Sequence, residues 1–264
     1  MNMKNNMYTN YLFDLYGTLV DIRTDEEKLE LWEKLSLFYG YYGAVYTAEE
    51  LNEAYLQEVK GAQEQARSKQ VSSLKDGKLI GNKPSDSHEA YPEVQLEYVF
   101  QKLFRRKGVE ADLVQSTYAG QVFRCVSTEY IRLYEGAKAL LQGLRNKGRK
   151  VYLLSNAQNI FIRYELRYLG IETLFDDIFI SSEYGCKKPD AAFYQKPIEK
   201  YGLDVEKTIM IGNDYTCDIL GAQQVGLNTF YVHSNLSPDV AQEIESTYHL
   251  RDIDLNKVRE ILEG

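Results

Sequence analysis

The chain has 264 residues, 44% of them hydrophobic and 27% charged, which suits one large or two modest globular domains and excludes a disordered or fibrous chain. Its 39 acidic residues outnumber 31 basic ones, a formal charge of −8, so neither nucleic acid nor an anionic membrane surface is expected as a partner. Three cysteines without a CxxC pair, and no apolar run near twenty residues, give the expectation of a soluble cytoplasmic protein with neither leader nor membrane span.

The first predicted element is a short apolar strand at 11–14 (YLFD). Residues 23–128 then hold helix-length segments at about 25–39, 48–70, 93–107 and 111–129, with the polar stretch 71–91 as the weakest-structured piece. Within this region, FYGYYGAVY at 38–46 either lines a cleft or buries the junction between two helices, the simpler use of so many rings. From 129 onward strands and helices alternate. Strand-like runs fall at 150–155, 177–181, 208–212 and 229–233, with amphipathic helices at about 136–147, 158–169, 190–201 and 215–225. That alternation predicts an α/β fold, a Rossmann-like doubly wound parallel sheet. Residues 1–22 and 129–264 would form this core, and 23–128 an inserted all-helical domain.

Four short motifs sit where such a sheet places function, at the carboxyl ends of its strands. DLYGT (14–18) ends the first strand on Asp14, an acid that is costly to bury unless paired, used or metal-bound; Gly17 allows a sharp turn and Thr18 offers a hydroxyl to an anion. Read alone, an aspartate here is also an ordinary turn residue. Ser155-Asn156 follows the 150–155 strand, where a helix N-cap is the bland reading. In KKPD (187–190), Pro189 suits a first helical position, which leaves Lys188 at a helix start where the dipole does not favour a cation; pairing with a carboxylate or a substrate would explain it. In GNDYTCD (212–218), Asp214 and Asp218 are four apart and share a face in a helical turn, an oxygen-only pair that suits Mg²⁺, although one of them could simply cap the helix.

In order and spacing the four motifs resemble those of the haloacid dehalogenase superfamily of hydrolases, and the helical insertion after the first motif resembles its subfamily with a helical cap at that site. The resemblance implies a covalent mechanism. Asp14 would be the nucleophile, Thr18, Ser155 and Asn156 would bind the substrate anion, and Lys188 would neutralise charge and orient Asp14. Asp14, the backbone carbonyl of Tyr16 and Asp214 would hold Mg²⁺, supported by Asp218.

The pattern departs from the family's phosphatases at one position. Where most of them carry a second aspartate, two residues after the nucleophile, this chain has Tyr16, and a phenol near pKa 10 is a poor base at neutral pH. A tyrosine there is what the L-2-haloacid dehalogenases of the superfamily show, and Tyr194, six residues after Lys188, also resembles them; Arg67 would be the arginine such an enzyme needs for carboxylate or halide. The acids of GNDYTCD point the other way, to Mg²⁺ and a phosphoryl group. The reading is therefore a Mg²⁺-dependent phosphatase acting on a small phosphorylated metabolite. The alternatives are a dehalogenase-like hydrolase acting at carbon, or a protein that binds a phosphorylated ligand without turning it over.

Overall fold

The computed structural model describes residues 8–73 and 93–263, so beyond the end of the second helix the stretch 71–91 lies outside the described residues. In chain order the elements are β1 (Asn10–Phe13), β2 (Val20–Thr24), α1 (Leu29–Tyr41), α2 (Ala48–Ser73), α3 (Leu96–Arg106), α4 (Leu113–Ser127), β3 (Thr128–Leu133), α5 (Ala137–Asn146), β4 (Lys150–Ser155), α6 (Asn159–Tyr168), β5 (Asp177–Ile180), α7 (Ser181–Tyr184), α8 (Ala191–Tyr201), β6 (Thr208–Gly212), α9 (Gly221–Gln223), β7 (Asn228–Val232), β8 (Tyr248–Leu250) and α10 (Leu255–Glu263). They fall into two compact units. One comprises residues up to Ile22 with Ile131–Ala157 and the chain from Glu165 onward; the other comprises Arg23–Tyr130 with Gln158–Tyr164.

The first unit is built on a six-stranded sheet in the order β5-β4-β1-β6-β7-β8, parallel throughout. Its central strands read as continuous apolar runs because both faces are covered: every residue of β1 and β6 is buried. β1 pairs with both β4 and β6, Phe13 standing opposite Leu153 and Ile211. The order of strands reverses on either side of β1, so the carboxyl end of β1 is a topological switch point.

The helical unit has its own apolar core, in which Trp32, Leu35, Tyr39, Phe100, Phe104 and Phe123 are buried. The 38–46 segment contributes to this junction: Tyr39 is fully buried and donates its hydroxyl to the Phe100 carbonyl at 2.9 Å, and Tyr46 donates to the Leu103 carbonyl at 2.7 Å. Rings at the edge of the segment stay outside, Tyr41 being 78% exposed.

Some elements differ from the sequence-based expectation. Pro189 does not open α8; Asp190 is the N-cap, its side chain accepting from the Ala192 amide at 2.9 Å, and a cap aspartate competes directly with an adjacent N1 proline for the same boundary. The helix expected at 215–225 is a wider π-type coil over Tyr215–Leu220 that passes into α9. β2 and β3, which form a separate two-stranded sheet, and the late elements β8 and α10 were not read from the sequence.

Candidate active site

Asp14 follows β1 directly, and its amide donates to the Ile211 carbonyl at 2.9 Å, which carries the parallel ladder one residue past the strand. The chain then turns back on itself, the amides of Leu19 and Val20 both reaching the Leu15 carbonyl at 2.8 and 2.9 Å. Gly17 makes the turn with φ of +85°, and a Cβ there would stand 2.3 Å from Asn213 Nδ2. Both the left-handed backbone and the close neighbour require glycine.

Lys188 lies at the centre of the site. It is 1% exposed, yet its Nζ is 2.6 Å from Asp14 Oδ1 and 2.7 Å from Asp218 Oδ1. A buried ammonium with two carboxylates is satisfied where a lone one would not be. Burial favours its neutral form, but Asp14 and Asp218 outweigh burial and hold the lysine above its ordinary range. Burial likewise raises the Asp218 carboxyl, with Lys188 opposing and Asp14 and Asp214 adding to the rise. The lysine that the helix dipole left unexplained is thus explained by carboxylate pairing.

The loop carrying Lys188 is fixed through its backbone. Asn156 Oδ1 accepts from the Lys188 amide at 2.8 Å and Asn156 Nδ2 donates to the Lys188 carbonyl at 2.9 Å. Next to it, Ser155 is fully buried and its Oγ has no hydrogen-bond partner. A buried hydroxyl left unpaired is costly, and in a native protein it calls for an explanation such as a bound ligand.

Thr18 is also fully buried; its hydroxyl reaches Asn213 Oδ1 at 3.1 Å and Asp14 Oδ2 at 3.4 Å. Asp214 caps the coil after β6 by accepting from the Cys217 amide at 2.8 Å. Asp218 folds back so that its Oδ2 accepts from the Asp214 amide at 2.9 Å. With Oδ1 on Lys188, both oxygens of Asp218 are engaged, and it lies so close to Gly212 that a Cβ there would stand 2.2 Å from its carboxyl carbon. Tyr16 is half-buried and donates its hydroxyl to Glu165 Oε2 on α6.

The residues singled out in the four motifs therefore come to the carboxyl ends of β1, β4 and β6 and to the loop before α8. Tyr194 does not open onto this cluster: it is fully buried and donates to the Cys217 carbonyl, bracing the coil. Arg67 is an exposed residue of α2. Two participants were missed. Asn213 sits inside the GNDYTCD motif, and its position beside two acids was a usable signal. Glu165 has a fainter one, an acid beside the buried Ile162 and Leu166 of an amphipathic helix.

Among the described residues no three acid, histidine or cysteine side chains converge as a metal-holding group. The donors expected from the sequence are two carboxylates, Asp14 and Asp214, which follow the neighbouring strands β1 and β6, with a backbone oxygen of the turn after β1. That set fits Mg²⁺, which takes one or two carboxylates and keeps its remaining positions for water and substrate phosphate.

A doubly wound parallel sheet with an aspartate–lysine–aspartate centre at its switch point defines an α/β protein of the aspartate-centred kind. The chain belongs to the haloacid dehalogenase-like hydrolase family, whose model matches residues 8–226. It is 30% identical over 115 residues to a glyceraldehyde 3-phosphate phosphatase of Methanothermobacter thermautotrophicus, 44% of this chain and 51% of that protein. The chain spans between half and two thirds of the length of the first curated relatives it matches. Among solved structures, the fold is similar to the magnesium-bound putative hydrolase YfnB of Bacillus subtilis, with a TM-score of 0.53 at 22% identity, covering 98% of this chain and 100% of that one. It is also similar to a 2-haloacid dehalogenase of Pseudomonas syringae, with a TM-score of 0.61 at 17% identity, covering 97% and 98%.

Proposed function

We propose that this chain is a phosphohydrolase that acts on a small phosphorylated molecule through an aspartyl-phosphate intermediate. The observation that carries the reading is the unpartnered, buried Ser155 Oγ at the carboxyl end of β4, the strand that pairs with β1 ahead of the Lys188-bound Asp14. A hydroxyl donor and an ammonium together suit the non-bridging oxygens of a phosphoryl group. The phosphatase named among the relatives supports the same chemistry.

Asp14 is the attacking carboxylate, its direction set by Lys188 and by the Thr18 hydroxyl. Lys188 holds its proton throughout and offsets charge on the phosphoryl oxygens, while Ser155 donates to one of them. Asn156 acts on Lys188, not on substrate, by holding its backbone. Asp14, the Tyr16 carbonyl and Asp214 are the groups that would hold Mg²⁺, with Asp218 keeping the Asp214 backbone and Lys188 in place. Bound there, the ion neutralises charge on the transferring phosphoryl group.

The dehalogenase alternative rests on Tyr16, because Tyr194 is committed to the Cys217 carbonyl. The ligand set is a small molecule, with neither nucleic acid nor membrane. No helix among the described residues is long and apolar enough to cross a membrane, and three cysteines that form no disulfide, Cys125, Cys186 and Cys217, suit the cytoplasm.

The test is phosphate release from acetyl phosphate and p-nitrophenyl phosphate, with Mg²⁺ and with EDTA. Turnover should require the metal, and Asp14→Asn should lower it by about a thousandfold or more. Full activity in Asp14→Asn would overturn the reading, and EDTA-resistant halide release from 2-chloropropionate would favour the dehalogenase.

A further inference from the structure

One hydrogen bond leaves the cluster for a part of the chain outside the four motifs. Asn213 is 4% exposed, and its side-chain amide is shared between two loops. Its Oδ1 accepts from the Thr18 hydroxyl at 3.1 Å, and its Nδ2 donates to Ser237 Oγ at 3.4 Å. A buried amide that loses a partner keeps its desolvation cost, so each loop fixes where the other can stand. Thr18 Oγ1 in turn lies 3.4 Å from Asp14 Oδ2.

The turn that carries Ser237 is held on both sides. It follows β7, and within it Ser237 Oγ accepts from the Ser234 amide at 2.9 Å, the Ser237 amide donates to the Ser234 carbonyl at 3.1 Å, and Ser234 Oγ accepts from the Leu236 amide at 3.3 Å. Local bonds from serine hydroxyls to the backbone fix a loop's own conformation. Outside the turn, Asn235 donates to Asp21 Oδ1 at 3.0 Å and accepts from the Tyr134 hydroxyl at 2.5 Å. Asp21 is buried in β2 and paired with Arg132 of β3 at 2.7 Å, so the turn is anchored to the paired strands that lead out of the sheet unit and back into it.

We propose that Ser237 is a positioning residue: through Asn213 it fixes the Thr18 hydroxyl, and with it the Asp14 carboxylate, in the orientation from which Asp14 attacks. This rests on the phosphohydrolase reading, in which Asp14 is the nucleophile, and deepens it by adding a residue from outside the motifs. Asp14 Oδ1 is held by Lys188 at 2.6 Å, and Thr18 is the neighbour of the second oxygen. Releasing Thr18 lets the carboxylate turn about its contact with Lys188. A misoriented attacking group slows the bond-forming step, while Ser155 and Lys188 remain in place for the phosphoryl oxygens. The signature is a lower kcat at unchanged KM.

The experiment measures kcat and KM for p-nitrophenyl phosphate in the full chain with Mg²⁺, at a temperature where urea unfolding shows each variant to be folded. Ser237→Ala should lower kcat by about two- to tenfold, the worth of one hydrogen bond, with KM unchanged, and Ser237→Thr, which retains the hydroxyl, should keep kcat near the parent value. In a Thr18→Val background, where no hydroxyl is left to orient, Ser237→Ala should lower kcat no further. An equal loss in both backgrounds would overturn the proposal, because a purely structural support acts whether or not residue 18 carries a hydroxyl; so would a raised KM with kcat unchanged. If the parent chain turns over no ester, the phosphohydrolase reading fails on its own. In that case, and where Thr18→Val is inactive, the relay is decided by the Asn213 side-chain amide signals in a ¹H–¹⁵N spectrum, assigned by their loss in Asn213→Asp. They should shift in both Ser237→Ala and Thr18→Val, and signals unmoved in either variant would refute the relay.

Discussion

Two clusters in this molecule are buried to a similar degree and made of opposite chemistry. The core of the helical unit is aromatic, with Tyr55, Phe100 and Phe123 in mutual ring contact at centroid distances of 5.2–5.7 Å. The cluster at the strand ends is ionic, with the carboxylates of Asp14 and Asp218 at 2.6 and 2.7 Å from the Lys188 ammonium. Aromatic burial is favourable in itself. Ionic burial requires that every charge keep its partner, since an uncompensated one is strongly destabilising. The first cluster is therefore where stability is gained, and the second is where part of it is given up for a positioned charge.

Lys188→Met should separate the two roles most sharply. It leaves Asp14 and Asp218 facing each other without a cation, so we expect stability to fall by about 3–5 kcal/mol in urea unfolding and phosphate release to be lost together. Phe123→Ala should cost a similar amount, about 3–5 kcal/mol, yet leave kcat near the parent value at a temperature where the variant is folded. Loss of turnover in folded Phe123→Ala would break the division.

A smaller effect is expected where an acid serves structure alone. Asp176 accepts from the Val151 amide and from Lys150, both at 2.9 Å. Partial burial raises its carboxyl, but those bonds outweigh burial and hold it below the usual range. Because the folded value is depressed, its contribution is present above the unfolded carboxylate value and is lost as pH falls through the folded one. Asp176→Asn should cost about 0.5–1.5 kcal/mol at neutral pH and flatten the acid limb of the stability profile, leaving activity intact.

The strands of the sheet were legible because parallel strands buried on both faces read as unbroken apolar runs, and the candidate site was legible only through the order and spacing of its four motifs, since Asp14 read alone is an ordinary turn residue and Ser155 an N-cap. What was illegible depended on contacts across the fold. Glu165 reads as one more helix-surface acid until Tyr16, 149 positions away in the chain, is seen to meet it. The coil at 215–220 has helical residues but runs as a π-type turn, entered through Asp214 accepting from the Cys217 amide and Asp218 accepting from the Asp214 amide. Tyr194 had the spacing of a site residue, and only its burial against the Cys217 carbonyl shows that it braces the loop.

Asn156 grips the Lys188 peptide by two hydrogen bonds and leaves the ammonium to others. Location and charge at this residue are thus specified by separate partners, a neutral amide for the one and a pair of acids for the other. A substitution at 188 that deletes the charge leaves the bracket around the main chain standing. A soluble primary amine supplied from solution then has a preserved socket to enter, which makes chemical rescue of a shortened side chain a property of the clamp, not of the lysine.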